Sequence, residues 1–323
     1  MVGVGHLRAW QKYTPPVEGV CSCTEDVVVA GHSLLNHLDN HSDFNGACDQ
    51  WVATWQGFEA KGVLKDSTNM DTATSVTLDV DAGLAYVAAS NSDSLAIIDV
   101  GTDPTNPTLV GVLADSANMD GAWGVALNVD AGLAYVAAYL SDSLTIVDVG
   151  TSPTTPTLVG VLKDAGKLNY AKAVVLDVDA GLAYVAASSG DSLVIVDVAT
   201  DSTNPTKVGV LQDSDNIDGA VSVALDVNAG LAYVAAYNSN CLAVVDVRTD
   251  PTNPTLLGML KDSTNMGSSK AVALDVNGGL VYVAAAGSDS LAVVNSNAVV
   301  WCAHDIRRFS SIQDRSNISW TVL

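Results

Sequence analysis

The heptapeptide Gly-Leu-Ala-Tyr-Val-Ala-Ala at residues 83–89, followed by Ser-Leu-Ala-Ile-Ile-Asp-Val at residues 94–100, decides the fold of this chain. The stretch returns four more times with small changes, and each return comes 49 residues after the last. Its tyrosine recurs at Tyr86, Tyr135, Tyr184, Tyr233 and Tyr282. A fixed period of about 20–50 residues is the signature of a repeat architecture, whose units bury their apolar faces against one another. The sequence therefore indicates one repeat array with flanking segments.

Each unit contains four runs that are typical of strands, being short, rich in Val, Ile, Leu and Ala, and bounded by turn residues. In the first unit the runs are Thr74–Val80, Leu84–Ser90, Leu95–Val100 and Thr108–Leu113. Four antiparallel strands in about 40–50 residues, repeated, indicate the blade of a β-propeller. Neighbouring blades cover both faces of a blade, which explains why the runs are almost continuously apolar. We expect the recurring tyrosine to be largely buried between blades.

The fifth unit keeps three runs, near Lys270–Val276, Leu280–Ala285 and Leu291–Val294, and lacks the fourth. The segment Ala60–Leu64 lies one repeat length, 49 residues, before the fourth run of the first unit. The sequence therefore predicts an all-β propeller of five four-stranded blades, closed by this N-terminal strand pairing with the last three. Closure would remove an apolar edge that invites aggregation. The alternative is six blades, with residues 1–58 and 296–323 forming a degenerate one.

Two motifs of the repeat carry a resemblance to known families. Ser-Leu-x-Ile-Val-Asp-Val, at Ser143–Val149 and Ser192–Val198, resembles the LVIVD repeat family. The Leu-Ala-Tyr-Val-Ala-Ala motif is also similar to YVTN-type propeller repeats. The resemblance covers residues 59–295 and implies a propeller, commonly found in bacterial or archaeal surface proteins and mostly without assigned activity. It implies an extracellular or cell-surface location, although no signal peptide is visible in the sequence.

The composition restricts the partners and the segments that can be assigned. The formal net charge is −22, and aspartate supplies nearly all of the acid. Such a surface repels phosphate backbones, so we expect no nucleic-acid partner. No run reaches the roughly 18 apolar residues of a membrane span. We interpret residues 1–58 as an irregular N-terminal extension, residues 59–295 as the propeller and residues 296–323 as a C-terminal tail.

Catalytic chemistry has few candidates in the repeats, which contain no histidine and, at their edge, the single glutamate Glu59. The usual general base is therefore absent from them. Their aspartates recur in every unit, which favours a structural role in turns, where a carboxylate accepts backbone N–H groups. We predict no catalytic residue and no cofactor, and the sequence favours a non-enzyme over an enzyme.

Two clusters of residues in the sequence carry side chains that can bind metal ions. Cys21, Cys23, His32, His37, His41 and Cys48 supply zinc-type ligands, but their spacing is looser than in most zinc sites. Asp213, Asp215 and Asp218 form the best calcium candidate within the repeats, against the alternative of a solvated acidic loop. Neither cluster has the spacing of an established motif, so no metal site is assigned.

Internal variation gives the most useful functional signal. Three columns of the repeat diverge: Thr74, Trp123, Lys172, Val221, Lys270; then Thr72, Gly121, Tyr170, Gly219, Ser268; then Ser90, Tyr139, Ser188, Tyr237, Ala286. In a propeller these columns fall at the same end of the disc. The alternative is drift at exposed loops, which also vary freely. The predicted ligand-binding residues are Trp123, Tyr139, Tyr170, Lys172, Tyr237 and Lys270, in one concavity.

Three functions compete on this basis. The first is a non-enzymatic binding or interaction module, with an unknown protein, glycan, peptide or small anion at one end of the disc. The second is a propeller hydrolase or lyase that uses Asp and Lys. The third is a calcium-stabilised surface or adhesion protein. Fold alone does not choose among them.

Overall fold

The computed structural model describes residues 60–296, together with the backbone of four short strands nearer the N-terminus. The chain divides into two units, Met1–Ala60 and Lys61–Leu323. The first unit holds two antiparallel pairs, β1 (Gln11–Tyr13) with β4 (Gln50–Val52) and β2 (Val28–Val29) with β3 (His32–Ser33).

The second unit contains five antiparallel sheets, one for each sequence repeat. The strands are β5 (Ala73–Asp79), β6 (Leu84–Ala89), β7 (Ser94–Asp99) and β8 (Thr108–Ala114) in blade one; β9 (Ala122–Asn128), β10 (Leu133–Ala138), β11 (Ser143–Asp148) and β12 (Thr157–Lys163) in blade two; β13 (Ala171–Asp177), β14 (Leu182–Ala187), β15 (Ser192–Asp197) and β16 (Thr206–Gln212) in blade three; β17 (Ala220–Asp226), β18 (Leu231–Ala236), β19 (Cys241–Asp246) and β20 (Thr255–Lys261) in blade four; and β21 (Ser269–Asp275), β22 (Leu280–Ala285) and β23 (Ser290–Asn295) in blade five.

Within each sheet the strands lie in chain order, so every blade is a simple meander. The first strand of each blade contacts the first strand of the next, from β5 through β9, β13 and β17 to β21. The chain is therefore a β-propeller array, as the sequence predicted. The predicted strands of blade one agree with the observed ones to within one residue.

Recurring aspartates, with Asn128 in their place in blade two, shape the first hairpin of the blades. The Asp79 carboxylate accepts the Ala82 N–H at 2.9 Å, and Asp177 does the same for Ala180 at 3.0 Å. The glycine that follows has φ of 68° at Gly83, and a Cβ there would lie 2.7 Å from the Cα of Gly101. Both the left-handed backbone and the close approach require glycine at this position.

The core lies between the blades. Tyr135 and Ile146 of blade two pack with Ala183, Val185 and Val194 of blade three in one cluster of buried residues. The equivalent tyrosines Tyr86, Tyr135, Tyr184 and Tyr233 are only 2–3 % exposed. Their predicted burial is confirmed for these four blades.

The predicted ring closure is not observed. Blade five has three strands, and Ala60–Leu64 forms no strand. Gly62 lies against the loop Pro104–Pro107 of blade one instead, which holds this segment at the first blade. The innermost strands β5 and β21 make no contact comparable to that between consecutive blades. The closing strand and the last blade are therefore kept apart.

The last blade shows how burial changes where no described blade follows. Tyr282 is only partly buried, contrary to the prediction of burial in all five units. Leu291 is 64 % exposed, whereas its equivalent Leu242 in blade four is 1 % exposed. Burial of the repeat residues thus depends on the following blade.

We predict that Tyr184→Ala lowers the free energy of unfolding by about 3–5 kcal/mol, because it removes a fully buried ring and leaves a cavity between two blades. The matched control is Tyr282→Ala, which should cost less than about 2 kcal/mol because water already reaches that ring. Denaturant unfolding measures both. Equal losses would show that the two rings do not differ in burial.

The same tyrosines predict an alkaline limit of stability. Burial, with the nearby Asp177 carboxylate, raises the pKa of Tyr184 to about 12, and burial raises the pKa of Tyr86, Tyr135 and Tyr233. An unfolded chain releases these protons nearer pH 10, so the stabilisation is complete below that pH and is lost as the pH rises towards 12. Melting temperature followed between pH 8 and 12 should fall steeply above about pH 10. A flat profile there would contradict the burial.

Candidate functional site

Each innermost strand carries a β-bulge at the same position. In blade three, Ala171 pairs with Ala187 and Ala173 with Ala186, so Lys172 is the extra residue between them. The extra residues of the five blades are Thr74, Trp123, Lys172, Val221 and Lys270. A bulge re-aims a side chain without disturbing the rest of the ladder, and bulges are over-represented beside functional sites. One of the three divergent columns of the sequence therefore coincides with this bulge column.

Backbone hydrogen bonds tie the other two divergent columns together. The N–H of Tyr139 donates to the Gly121 carbonyl at 3.0 Å, and the N–H of Tyr237 donates to the Gly219 carbonyl at 2.8 Å. In blade three the Ser188 N–H makes the same bond to Tyr170 at 2.9 Å. The loop before the first strand and the turn after the second strand thus meet at one end of each blade.

Tyr170 has an unusual backbone conformation. Its φ is 58°, in the left-handed region, where two other blades have Gly121 and Gly219 with φ of 68° and 70°. A bulky residue at positive φ is strained and persists only where its surroundings hold it in place. Here the Asp142 carboxylate accepts the Tyr170 N–H at 3.0 Å.

Four of the six predicted site residues form one continuous cluster. The rings of Trp123 and Tyr139 lie 5.5 Å apart, centroid to centroid, and those of Tyr139 and Tyr170 lie 4.9 Å apart, both pairs edge to face. The Lys172 Nζ lies 4.9 Å from the Trp123 ring and 5.8 Å from the Tyr139 ring. These are favourable aromatic and cation–π geometries. The cluster thus joins Trp123 and Tyr139 of blade two with Tyr170 and Lys172 of blade three.

The remaining two residues form a second pair. The Lys270 Nζ lies 4.7 Å from the ring of Tyr237. The two groups are electrostatically linked, because burial and the positive charge of Lys270 lower the pKa of Lys172. We call the surface of Trp123, Tyr139, Tyr170, Lys172, Tyr237 and Lys270 the aromatic–lysine face. Among the residues that the structure describes, neither lysine has a carboxylate partner.

A role that the sequence showed only in part is that of the second-turn acids. The Asp93 carboxylate accepts the Gly121 N–H at 3.0 Å, and Asp191 accepts the Gly219 N–H at 3.1 Å. Each carboxylate therefore hydrogen-bonds its own blade to the loop that leads into the next blade. The predicted turn role is confirmed, but the bond reaches across blades; the recurrence of the acid was the only sequence signal for it.

At both of these hydrogen bonds a second carboxyl group lies beside the accepting one. Burial and the adjacent Asp93 raise the pKa of Asp120, while burial raises the pKa of Asp191, to which Asp218 adds. Because Asp93 and Asp191 already accept a backbone N–H, the shifts have a structural origin.

The calcium candidate does not assemble. Asp213 accepts the N–H groups of Asp215 and Asn216 and the Asn216 side-chain amide, and these bonds lower its pKa. Asp218 instead accepts the side-chain amide of Asn238. Within residues 60–296, no group of three or more His, Cys, Asp or Glu side chains is arranged to hold a metal ion. The side chains of the zinc candidate, from Cys21 to Cys48, lie outside the described residues.

Two cavities lie between blades at the opposite end of the strands, near the first hairpins. The larger, of 190 Å³, lies between blades one and two and is lined by Asp79, Tyr86, Leu127 and Gly132 among others. The smaller, of 30 Å³, repeats this position between blades two and three. Neither cavity includes a residue of the aromatic–lysine face, so the predicted concavity is not one of them.

The fold places the chain in the class of repeat-built β-propellers, and a family comparison makes the assignment specific. The model of the LVIVD repeat matches residues 76–115, 123–164, 172–213 and 222–262. These four matches together span about half of the chain. The protein belongs to the LVIVD repeat family.

Solved structures support the same fold at low sequence identity. A functionally unknown protein from Desulfotomaculum acetoxidans is 14 % identical, with a TM-score of 0.57 and 73 % of each chain covered. The periplasmic gluconolactonase of Pseudomonas aeruginosa is 15 % identical, with a TM-score of 0.60, covering 70 % of this chain and 66 % of that one. A putative 6-phosphogluconolactonase from Bacteroides uniformis is 12 % identical, with a TM-score of 0.56, covering 68 % and 64 %. The chain thus spans about two thirds of these proteins.

No curated protein matches the sequence. Within the described part of the chain, no helix has the length and apolar character that would carry it across a membrane.

The strain at Tyr170 gives a test of the face. We predict that Tyr170→Gly leaves the free energy of unfolding no lower than that of the unsubstituted protein, because glycine relieves a left-handed backbone that costs about 1–2 kcal/mol and the lost ring is 40 % exposed. The matched control is Gly219→Ala, which should lower stability by about 1 kcal/mol or more because the new Cβ meets both strain and Asn238. Denaturant unfolding compares the pair. A loss of more than about 1 kcal/mol in Tyr170→Gly would mean that the ring stabilises the fold, not a ligand.

Proposed function

We propose that this protein is a non-enzymatic binding module whose aromatic–lysine face takes an anionic ligand with a sugar ring or a similarly flat body. The observation that carries the proposal is the position of Lys172, whose Nζ sits between two aromatic rings, at 4.9 Å and 5.8 Å, without a carboxylate partner among the described residues. A half-buried ammonium without a counter-ion favours an anion at that point. The rings beside it offer stacking area to the body that carries the charge.

The charge of the whole chain sharpens this preference. The net charge is −22, so most of the surface repels anions. Lys172 and Lys270 are close enough for one to lower the pKa of the other, and both stand at bulges of the same column. An anionic group between them would relieve their mutual repulsion. We therefore place the charged part of the ligand between the two lysines and its body on Trp123 and Tyr170.

A binding role is favoured over catalysis by the state of the acids. The described region 60–296 contains no histidine and no glutamate. Asp142 and Asp191, two aspartates of the second turns, are hydrogen-bonded to backbone N–H groups of the next blade. A carboxylate held in this way keeps the scaffold together and is poorly placed to move a proton.

The direct test uses oligogalacturonate as an anionic sugar probe and maltotriose as a neutral one, with isothermal titration calorimetry. We expect the acidic probe to bind and the neutral one to bind at least about 10-fold more weakly, equivalent to about 1.4 kcal/mol. The double variant with Trp123→Ala and Tyr170→Ala should abolish binding while leaving the melting temperature nearly unchanged. The control is Lys163→Gln, which removes a positive charge on an outer strand and should bind the acidic probe as the unsubstituted protein does. Equal binding of both probes, binding that survives the double variant, or turnover of gluconolactone by the protein would overturn the proposal.

The lysine adds a pH dependence with a definite sign. Because the pKa of Lys172 is lowered, its positive charge is lost at a lower pH than that of an ordinary lysine, so binding of the anionic probe should weaken as the pH rises through that value. Lys172→Arg keeps its charge and should bind the probe to higher pH. Titrations between pH 7 and 10 compare the two proteins. Identical profiles would exclude Lys172 from the site.

A further inference from the structure

The two ends of the propeller array expose the two halves of an interface that the chain already uses four times. Between consecutive blades, the tyrosine and leucine face of one blade is covered by the first strand of the next, as Tyr86 and Leu95 are covered by Val125 and Leu127. In blade five no described strand covers the equivalent face, where Leu291 is 64 % and Val293 54 % exposed. We call this surface, formed by Tyr282, Ala284, Leu291 and Val293, the free blade face.

The other half stands at blade one. Val76 is 62 % exposed, while its equivalents Val125, Val174 and Val223 are 5–8 % exposed under the preceding blade. Leu78 is 54 % exposed beside it. Exposed contiguous apolar residues of this kind mark interaction surfaces. Inside the array, the face equivalent to the free blade face is covered by the first strand of the next blade. The exposed first strand of blade one is therefore the kind of surface that covers such a face.

The backbone repeats this complementarity. Blades one to four each have a fourth strand paired with the third, but β23 has no such partner among the described strands. Residues 61–65, which we call the orphan strand, align with those fourth strands one repeat earlier. Gly62 lies against the loop Pro104–Pro107 of blade one, as Gly111 lies against Pro153–Pro156 of blade two. The orphan strand therefore occupies a fourth-strand position without the three strands that it would complete.

We propose that a second copy of this chain fills the gap, its orphan strand pairing with β23 while its first blade covers the free blade face. The repeat fixes the register: Leu95 pairs with Leu113 and Ala96 with Val112 in blade one, so Leu291 would lie opposite Leu64 and Ala292 opposite Val63 of the second copy. Addition of a strand to an open edge supplies main-chain hydrogen bonds, and the side-chain face supplies specificity. The contact joins two different surfaces, so association is head to tail.

The second copy is favoured over the chain's own N-terminal segment by the geometry at both ends. Gly62 is seated on blade one, and β5 and β21 are not neighbours, so the orphan strand is held away from β23 of its own chain. The net charge of −22 per copy opposes association. Assembly should therefore strengthen with salt, which screens that repulsion while leaving apolar burial intact.

The first experiment uses the full chain in two single-cysteine additions, Val63→Cys and Ala292→Cys. Mixed under mild oxidation, they should give a disulfide-linked pair of chains, above the background that the native cysteines give in the unsubstituted protein. The chain carrying both substitutions should give linked multimers. A monomer with an internal 63–292 disulfide would overturn the proposal in favour of ring closure. Absence of any cross-link above background would also overturn it.

The second experiment measures association directly by sedimentation over a range of concentrations. We expect concentration-dependent dimers and larger species, with the association constant reduced at least 10-fold by Leu291→Asp. The control is Val276→Asp, at a position that is exposed in every blade, from 40 % to 80 %, and so lies outside the inter-blade contact; it should associate like the unsubstituted chain. A single monomeric species at every concentration, or equal effects of the two substitutions, would overturn the proposal.

Discussion

Each blade of this protein has two apolar faces, and a blade cannot bury either of them by itself. Everything else in the structure depends on this constraint. Tyr135 and Leu144 are buried only because blade three covers them, and their blade-five equivalents Tyr282 and Leu291 are accessible to water because no further blade follows among the described residues. Stability in such arrays is a sum over neighbouring interfaces, so the interior blades and the end blades are not equivalent even where their sequences are.

The strand order and the repeat were predictable from the sequence, because both follow from local rules. The 49-residue period, the Asp-Ala-Gly turn before Leu84 and the apolar runs fixed the strands of blade one to within one residue. Ring closure was not predictable in this way. It depends on the small rotation between blades, which no single residue specifies.

The candidate site was predictable in its residues and not in its geometry. Variation among repeats singled out Trp123, Lys172 and Lys270, but nothing in the sequence indicated that their column is a β-bulge. A bulge is set by the register of two strands and is invisible to a pattern of apolar and polar residues. The hydrogen bond from the Tyr170 N–H to the Asp142 carboxylate was not predictable for a similar reason, since 28 residues separate the two groups and they belong to different blades.

The bulge separates two demands that usually compete within one strand. In blade three the residues on either side, Ala171 and Ala173, keep the strand ladder, while the extra residue Lys172 has no register partner on the neighbouring strand. Threonine, tryptophan, lysine and valine all occupy that position over nearly the same framework. The bulge positions other than Thr74, whose hydroxyl donates to two carbonyls of blade two, could therefore be randomised while the strand ladders stay the same. Such a chain is a scaffold whose surface at this end can diversify while its strand pairing is retained.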